Sequence, residues 1–397
     1  MAVSQTLLLF IVGVGILQGI FLAALLFFHP KSDRSVNKFL AFYILCYCIP
    51  MLTPAVQHFF SWQLLAFIEP ILLLLGPCLL LYVNSFKEKI TFSKTWPHFI
   101  FFFLFLVLDV YLFFKFTEQY PLSSQIPPEV PQLPTSIIRV FVRNGQMIVY
   151  FFLARNSLIS YQRSIHHLFS ETSRINLSWV RWLINGYIIL FLIMTGLYFM
   201  ILRSPENFGI IMLITTAIVT PYMYAVAFRG LTQPTIWQVR HETTSEKVEA
   251  AITEVESIEE FSEEPQPKVQ KASLGNERIN DIVTRVTRLM EDSKLYLQSE
   301  LTLQDLAEKL DIPPYQVTQA INEGLGKNFY DLVNGCRVEE AKRLLSDPGS
   351  RNSKILTVGM DSGFNSKTTF NTVFKKFTGL TPSEFKEQQL KAVVRHN

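Results

Sequence analysis

Residues 355–385 read ILTVGMDSGFNSKTTFNTVFKKFTGLTPSEF. Phe370, Phe374 and Phe377 recur at helical spacing and point inward, while Lys367, Thr368, Asn371 and Lys375 fall on the opposite face. Ser366 is placed to cap this helix and Gly379 to stop it. Ile355 and Val358 mark a shorter helix before it, and Gly363-Phe364-Asn365 supplies the turn between the two. Thr381-Pro382-Ser383-Glu384 opens a further helix, with proline in its first turn and a capping box.

Working upstream, the same layout occurs once more. Leu301-Thr302-Leu303-Gln304-Asp305-Leu306-Ala307-Glu308-Lys309-Leu310 predicts a short helix, with Thr302 as cap and Asp305 at the capping-box position. Asp311-Ile312-Pro313 forces a turn and Pro314 starts the next helix. That helix carries Val317 and Ile321 inward and Tyr315, Gln316, Thr318, Gln319 and Asn322 outward. Two short helices on a tight turn, the second exposing amides and hydroxyls, form a helix-turn-helix. Between the two units a long helix runs from about Phe329 to Leu345 and ends at Asp347-Pro348-Gly349. Before both, Ile279, Ile282, Val283, Val286, Leu289 and Met290 make one apolar face.

In Ile355–Phe385, Gly363-Phe364, Phe370 with Phe374, and Gly379-Leu380-Thr381-Pro382 all fall in register with one pattern. The stretch resembles AraC/XylS-type transcriptional regulators, and the resemblance covers Ile279 to Lys391. It implies an all-helical domain of two helix-turn-helix units bridged by a long helix, sequence-specific binding of double-stranded DNA, and contact with RNA polymerase. The chain departs from the family pattern at three positions. Asp311 stands where the first turn usually has Gly, Pro313 where a Ser cap is usual, and Gly359 where a small Ala packs.

The residue types suit that chemistry. Amides and hydroxyls match donor and acceptor patterns at base edges, and Lys and Arg neutralise phosphates. The expected contacts are Tyr315, Gln316, Thr318, Gln319 and Asn322 in the first unit. In the second they are Asn365, Ser366, Lys367, Thr368, Asn371 and Lys375. Some of these residues would merely solvate a helix, since phosphate contacts equal or outnumber base contacts. Residues 337–397 hold 11 Lys+Arg against 6 Asp+Glu, whereas 276–336 hold 6 against 10. The second unit is therefore the electrostatic anchor, and the first adds selectivity. The two recognition helices would enter successive major grooves roughly 34 Å apart.

The rest of the 397 residues is of another kind. Apolar residues make up 49% of the chain, charged residues only 17%, and Phe occurs 34 times. That composition excludes a disordered chain, a collagen and an ordinary soluble enzyme. Residues 231–275 carry 4 Lys+Arg and 9 Asp+Glu and read as an acidic linker. Within it Val248, Ala251, Val255 and Ile258 stand at coiled-coil spacing over only two heptads, a candidate homodimer contact.

Residues 1–230 hold seven apolar runs of membrane-spanning length: Thr6–Phe28, Phe39–Val56, Gln63–Val83, His98–Phe116, Ile137–Ser157, Leu183–Leu202 and Ile210–Phe228. Lys31, Arg34 and Lys38, then Lys87, Lys89 and Lys94, then Arg163, Arg174 and Arg181 occupy alternate loops. Cationic loops face the cytoplasm. The expectation is a multi-pass protein of the inner (cytoplasmic) membrane, N-terminus outside and the DNA-binding domain in the cytoplasm. The first run has no cationic residue before it and is too long for a cleaved signal peptide. Seven spans ahead of such a domain also resemble the membrane-bound members of the same family.

Ionisable residues within spans are costly, and are functional or paired. Glu69, Asp109, Arg139 and Arg143 are such residues. One reading is an outward-facing polar pocket in which Arg139 and Arg143 hold an anionic signal ligand. The other is an internal Glu69–Arg pair, or arginines reaching up to lipid headgroups. Gly15 and Gly19 allow close helix contact, within one bundle or between two copies. His166 and His167 point apart on a helix and do not suggest a metal site. Cys46 and Cys48 read as packing residues. No cofactor or catalytic residue is called for, and metalloprotease, phosphate-loop and nucleophile-elbow motifs are missing. The rival readings are a transporter or membrane enzyme with a regulatory DNA-binding tail, and an anchor that senses nothing.

Overall fold

Proline marks where the second and third apolar segments leave the α-helix, whereas Pro221 sits inside a continuous one. In the computed structural model, residues 5–28, 34–87, 90–123, 127, 130, 133–172, 177–204, 207–232, 275–347, 349 and 353–396 are described. Among the described residues seven segments are long and apolar enough to cross a membrane: Gln5–Phe28, Val36–Phe59, Trp62–Asn84, Phe92–Gln119, Pro134–Leu168, Ser178–Arg203 and Phe208–Thr232. They coincide with the seven apolar runs, but the second, third and fourth are not continuous α-helices; the fourth has a 3₁₀ turn at Trp96–Phe99.

Helix α1 (Gln5–Phe28) is unbroken. The second segment is α2 (Arg34–Cys48), a 3₁₀ turn at Pro50–Leu52, and α3 (Thr53–Phe59). Pro50 and Pro54 each lack the N–H that an α-helix needs, so the chain tightens to i→i+3 bonding. The Thr53 hydroxyl donates to the Pro50 carbonyl at 2.7 Å. The third segment is 3₁₀ over Trp62–Phe67 and Glu69–Leu74, around Pro70, and becomes α4 only at Leu75–Asn84. A side chain from a neighbouring helix meets one freed backbone carbonyl, with Gln146 Nε2 donating to Leu73 O at 3.2 Å, and Gln63 of this segment donates to Pro121 O at 3.2 Å.

Helices α5 (Phe92–Thr95), α6 (Ile100–Gln119), α7 (Pro134–Leu168), α8 (Ser178–Arg203) and α9 (Phe208–Thr232) follow. A Cβ on Gly19 would collide with Cys48 Sγ, and one on Gly15 would come within 3.0 Å of Met51. The small-residue face of α1 is thus occupied by the second segment and by α9, as packing within the bundle requires. Cys46 and Cys48 are buried thiols.

The chain divides into two compact units, Met1–Tyr161 with Leu177–Val239, and Gln162–Asn176 with Arg240–Asn397. A continuous block over 1–230 is expected from sequence; residues 162–176 instead group with the C-terminal unit. The candidate coiled-coil positions Val248, Ala251, Val255 and Ile258 lie outside the described residues.

The C-terminal unit has two cores. Helix α10 (Asn276–Asp292) buries Ile279, Ile282, Val286 and Met290. They pack with α11 (Leu303–Leu310), α12 (Pro314–Gln319) and the start of α13 (Phe329–Ser346). The second core gathers Tyr330, Val338, Ala341 and Leu345 of α13. They meet Val358 of α14 (Ile355–Asp361) and Phe370, Val373 and Phe374 of α15 (Lys367–Thr378), under α16 (Pro382–His396). Each fully buried Phe contributes about 1.5–3 kcal/mol of transfer free energy. The rings of Phe364, Phe370, Phe374 and Phe385 follow one another at 5.1, 5.6 and 5.5 Å. Helix α13 thus supplies residues to both cores. Among the described residues the only β-type pairing is an isolated antiparallel bridge between Phe169 and Thr302.

Candidate nucleic-acid interface

Side-chain caps start α11 in the first helix pair and α15 in the second. The Thr302 hydroxyl accepts from the Asp305 N–H at 3.1 Å, and the Asp305 carboxylate accepts from the Thr302 N–H at 2.9 Å. This reciprocal pair starts α11. Asp311 then ends it in the left-handed region, φ 54° and ψ 47°. The first turn therefore has the backbone that glycine would adopt most easily, built with aspartate instead. Pro313 stands at the N-cap of α12 with an extended backbone and no side-chain cap bond.

Helix α12 continues as one wider turn over Ala320–Gly324. Tyr315 is 38% exposed, and Gln316, Gln319 and Asn322 are half-buried. Gln316 Nε2 donates to Tyr315 Oη at 3.0 Å, and Gln319 Nε2 to Glu323 Oε1 at 3.0 Å. Thr318 corrects the expectation: it is 4% exposed and faces the core. The reason is helical geometry. Pro314, Val317, Thr318 and Ile321 form one i, i+3, i+4, i+7 stripe, so Thr318 belongs with the apolar residues.

In the second unit Ser366 accepts from the Thr369 N–H at 3.0 Å and caps α15. Gly379 stops it at φ 77°. Lys367, Thr368 and Lys375 are exposed and Asn365, Ser366 and Asn371 half-buried, along one side of the helix. Thr372 and Lys376 share the exposed surface and were not expected there; the i, i+4 spacing from Thr368 identifies Thr372. Lys376 makes an ion pair with Asp331 at 2.7 Å and lies over the Tyr330 and Phe377 rings. Phe377 is a second correction. It is 40% exposed, because the core closes at Phe374 and the last turn of α15 runs past it.

Gly363, at φ 90°, makes the second turn. A Cβ there would lie 2.6 Å from the Tyr296 carbonyl. The absent methyl at Gly359 has a partner too: Phe370 fills the space, and a Cβ would lie 2.7 Å from its ring.

Residues 165–172 complete this unit. Leu168 is part of the first core. The Ser170 N–H and hydroxyl both donate to Leu301 O, at 3.2 and 2.6 Å. Asn334 Nδ2 donates to Ser170 O at 2.8 Å. Arg337 is wholly buried and donates to the carbonyls of Tyr296 (2.7 Å), Gln298 (2.6 Å) and Ser299 (3.2 Å) and to Ser170 Oγ (3.2 Å). Burial pushes its pKa down to about 10, which leaves it charged at neutral pH. Thr369, at the start of α15, donates to Glu171 at 3.3 Å. Sequence reasoning missed this network, since residues 162–176 and 296–337 are far apart in the chain.

In the other unit, Arg139 reaches both Glu69 (3.1 Å) and Asp109 (2.8 Å). The Arg143 guanidinium lies 5.7 Å from the centre of the Tyr198 ring. All four ionisable residues line one cavity of about 480 Å³. Groups of three or more His, Cys, Asp or Glu able to hold a metal do not occur among the described residues, and His166 packs edge-on against Tyr330 with ring centroids 4.4 Å apart.

A family model described as a helix-turn-helix domain matches residues 306–388. The arabinose operon regulatory protein of Escherichia coli (strain K12) is 32% identical over 88 residues, 22% of this chain and 29% of that protein. Its counterpart in Salmonella typhimurium is 29% identical over 109 residues, 28% and 36% of the two chains. An uncharacterised HTH-type transcriptional regulator of Staphylococcus aureus (strain COL) is 26% identical over 102 residues, 26% of this chain and 13% of that one. The C-terminal domain of AraT, a response regulator from Geobacillus stearothermophilus, is 26% identical. The match covers 30% of this chain and 88% of that one with a TM-score of 0.24, too low to bear on the fold. The matched part spans 13 to 36% of the length of the three regulators. The C-terminal part of the chain is a helix-turn-helix domain of the kind that DNA-binding transcriptional regulators carry.

Proposed function

We propose that the chain is a membrane-anchored, sequence-specific transcriptional regulator that couples a signal at the membrane or periplasm to promoter binding. The observation that carries this is the exposed face of α15. Lys367, Thr368, Asn371 and Lys375 project from a helix locked by a run of four phenylalanines packed tilted and edge to face, a Ser cap and a Gly stop. Such a face presents cations to phosphates and amides and hydroxyls to base edges of the major groove. The more acidic first unit adds selectivity through Tyr315, Gln316, Gln319 and Asn322.

Seven apolar segments support the membrane part of the reading, and alternating Lys and Arg in their loops support a cytoplasmic C-terminus. On this reading the protein is a multi-pass protein of the inner membrane. RNA polymerase and a second copy of the chain are its expected protein partners, and it catalyses no reaction. A signal would act by shifting the population of DNA-competent states.

Genome-wide mapping of bound DNA with the full chain tests this, alongside Gln316→Ala and Lys367→Ala. Discrete sites that blur in Gln316→Ala support base reading. A uniform loss with a shallower salt slope assigns that residue to phosphate instead. Binding without discrete sites in the unaltered protein refutes sequence specificity. One observation favours a transporter as second reading: the broken third segment lines the cavity, as discontinuous helices do in transporters. Substrate flux into vesicles would decide for it.

A further inference from the structure

Among the buried polar atoms that the bundle leaves without hydrogen bonds, a group belongs to residues of one cavity, while Gln146 Oε1, Trp179 Nε1 and Thr220 Oγ1 lie apart from it. Trp62 is 6% exposed and Gln63 2%. Trp62, Gln63 and Arg139 line the 480 Å³ space, and Trp62 Nε1, Gln63 Oε1 and Arg139 Nε are buried with no hydrogen-bond partner among the described residues. Buried polar groups are normally satisfied, so such a cluster marks a missing partner. The cavity wall is also where the third segment abandons the α-helix. Trp62, Gln63, Leu65, Glu69 and Leu73 come from its two 3₁₀ stretches. Irregular backbone at membrane depth is tolerated where it lines a cavity.

The donor and acceptor types define the occupant. Trp62 Nε1 and Arg139 Nε ask for an acceptor, while Gln63 Oε1 asks for a donor. A hydroxyl group offers both. Charge is already balanced, since Glu69 and Asp109 stand against Arg139 and Arg143. An added ion would leave a net charge in an apolar site, at high cost. The remaining wall, with Phe105, Leu112, Phe116 and Tyr198, is apolar and aromatic. We propose that this cavity binds a neutral, hydroxyl-bearing amphiphile. Its polar head sits among Trp62, Gln63 and Arg139, and its apolar tail lies along the aromatic wall. This rests on reading the apolar helices as membrane spans and is independent of the DNA reading. It replaces an anion between the arginines with an uncharged head beside an internally neutralised cluster.

The test uses the full chain, purified from membranes and held in nanodiscs. Native mass spectrometry follows three probes with one tail: 1-monododecanoylglycerol, dodecanoate and dodecyltrimethylammonium. The neutral probe should give a saturable single adduct, with the ionic probes weaker. Trp62→Phe keeps the ring and loses only the N–H; Gln63→Leu keeps the approximate shape and loses the acceptor. Each should weaken the neutral probe by about tenfold. An adduct already present on isolation assigns the ligand to bilayer lipid, and one formed only on addition assigns it to a free amphiphile. No saturable neutral adduct, a tighter dodecanoate adduct, or unchanged affinity in both variants overturns the proposal. Should either variant misfold, a diazirine-tailed monoacylglycerol on the unaltered chain decides. Cross-links outside residues 62–73, 105–116 and 136–143 overturn it. Recovery of the protein in the aqueous phase without detergent would instead refute the membrane reading itself.

Discussion

Arg337 concentrates the most risk in a single side chain. It is wholly buried, carries a charge, and donates to backbone carbonyls, Ser170 and Asn334, with the Glu171 carboxylate as the opposite charge that favours its protonated form. Removing it strands those carbonyls. Arg337→Met should destabilise the C-terminal unit by about 2–5 kcal/mol, and Ser170→Ala by about 1 kcal/mol. Urea unfolding of the full chain measures both, and equal effects would contradict the network. Asp311 presents the reverse case, a non-glycine residue at φ 54°. Asp311→Gly should raise stability by up to about 1 kcal/mol without changing site preference, because the turn already has the backbone glycine adopts. At Gly359 the Phe370 ring occupies the place of a methyl. Gly359→Ala should therefore cost about 1–3 kcal/mol.

Among the elements, α15 and α16 carry predictions of two kinds. Lys367→Ala and Lys375→Ala should each reduce the salt slope of DNA binding by about 1 and weaken all sequences alike, as fluorescence anisotropy against salt would record. Helix α16 begins with Glu384 accepting from the Thr381 N–H at 2.7 Å. That bond holds the Glu384 carboxyl below its ordinary value of 4.5. A lowered folded pKa gives stability that is present above about pH 4.5 and lost as pH falls through the folded value. Circular dichroism melts from pH 6 to 3 should show a loss that is slightly smaller in Glu384→Gln, because Glu340, also held low by Arg343, still titrates.

The sequence reveals these helices because their signals are local: caps, stops and i, i+4 stripes. Ser366, Gly379, Thr302 and Asp305 all behave as their residue types require. Thr318 was misread because its hydroxyl outweighed its position in the stripe, and Phe377 because apolarity outweighed the end of the core. The 3₁₀ course of Trp62–Leu74 is hinted at only by Pro70 and Pro77, and the Ser170–Arg337 network has no local signal at all.

At the scale of the molecule, composition separates the apolar part from the charged part, with 15 Lys+Arg in residues 1–230 against 17 in the much shorter 276–397. A reporter fused after Asn397 should be active in the cytoplasm, and activity only in the periplasm would reverse the proposed topology. Deleting residues 1–230 distinguishes a sensor from a passive tether, since unchanged, signal-independent promoter control favours the tether.

That deletion also removes Leu168, Phe169 and Ser170, and the reading head is stitched from two distant stretches of chain. A truncated 276–397 protein would start life with an unfilled slot beside Arg337 and Asn334, ready to take up a short peptide. Supplying residues 162–176 in trans should raise its melting temperature. Poor behaviour of the lone fragment would then report a lost seam, and not an inability to hold a duplex.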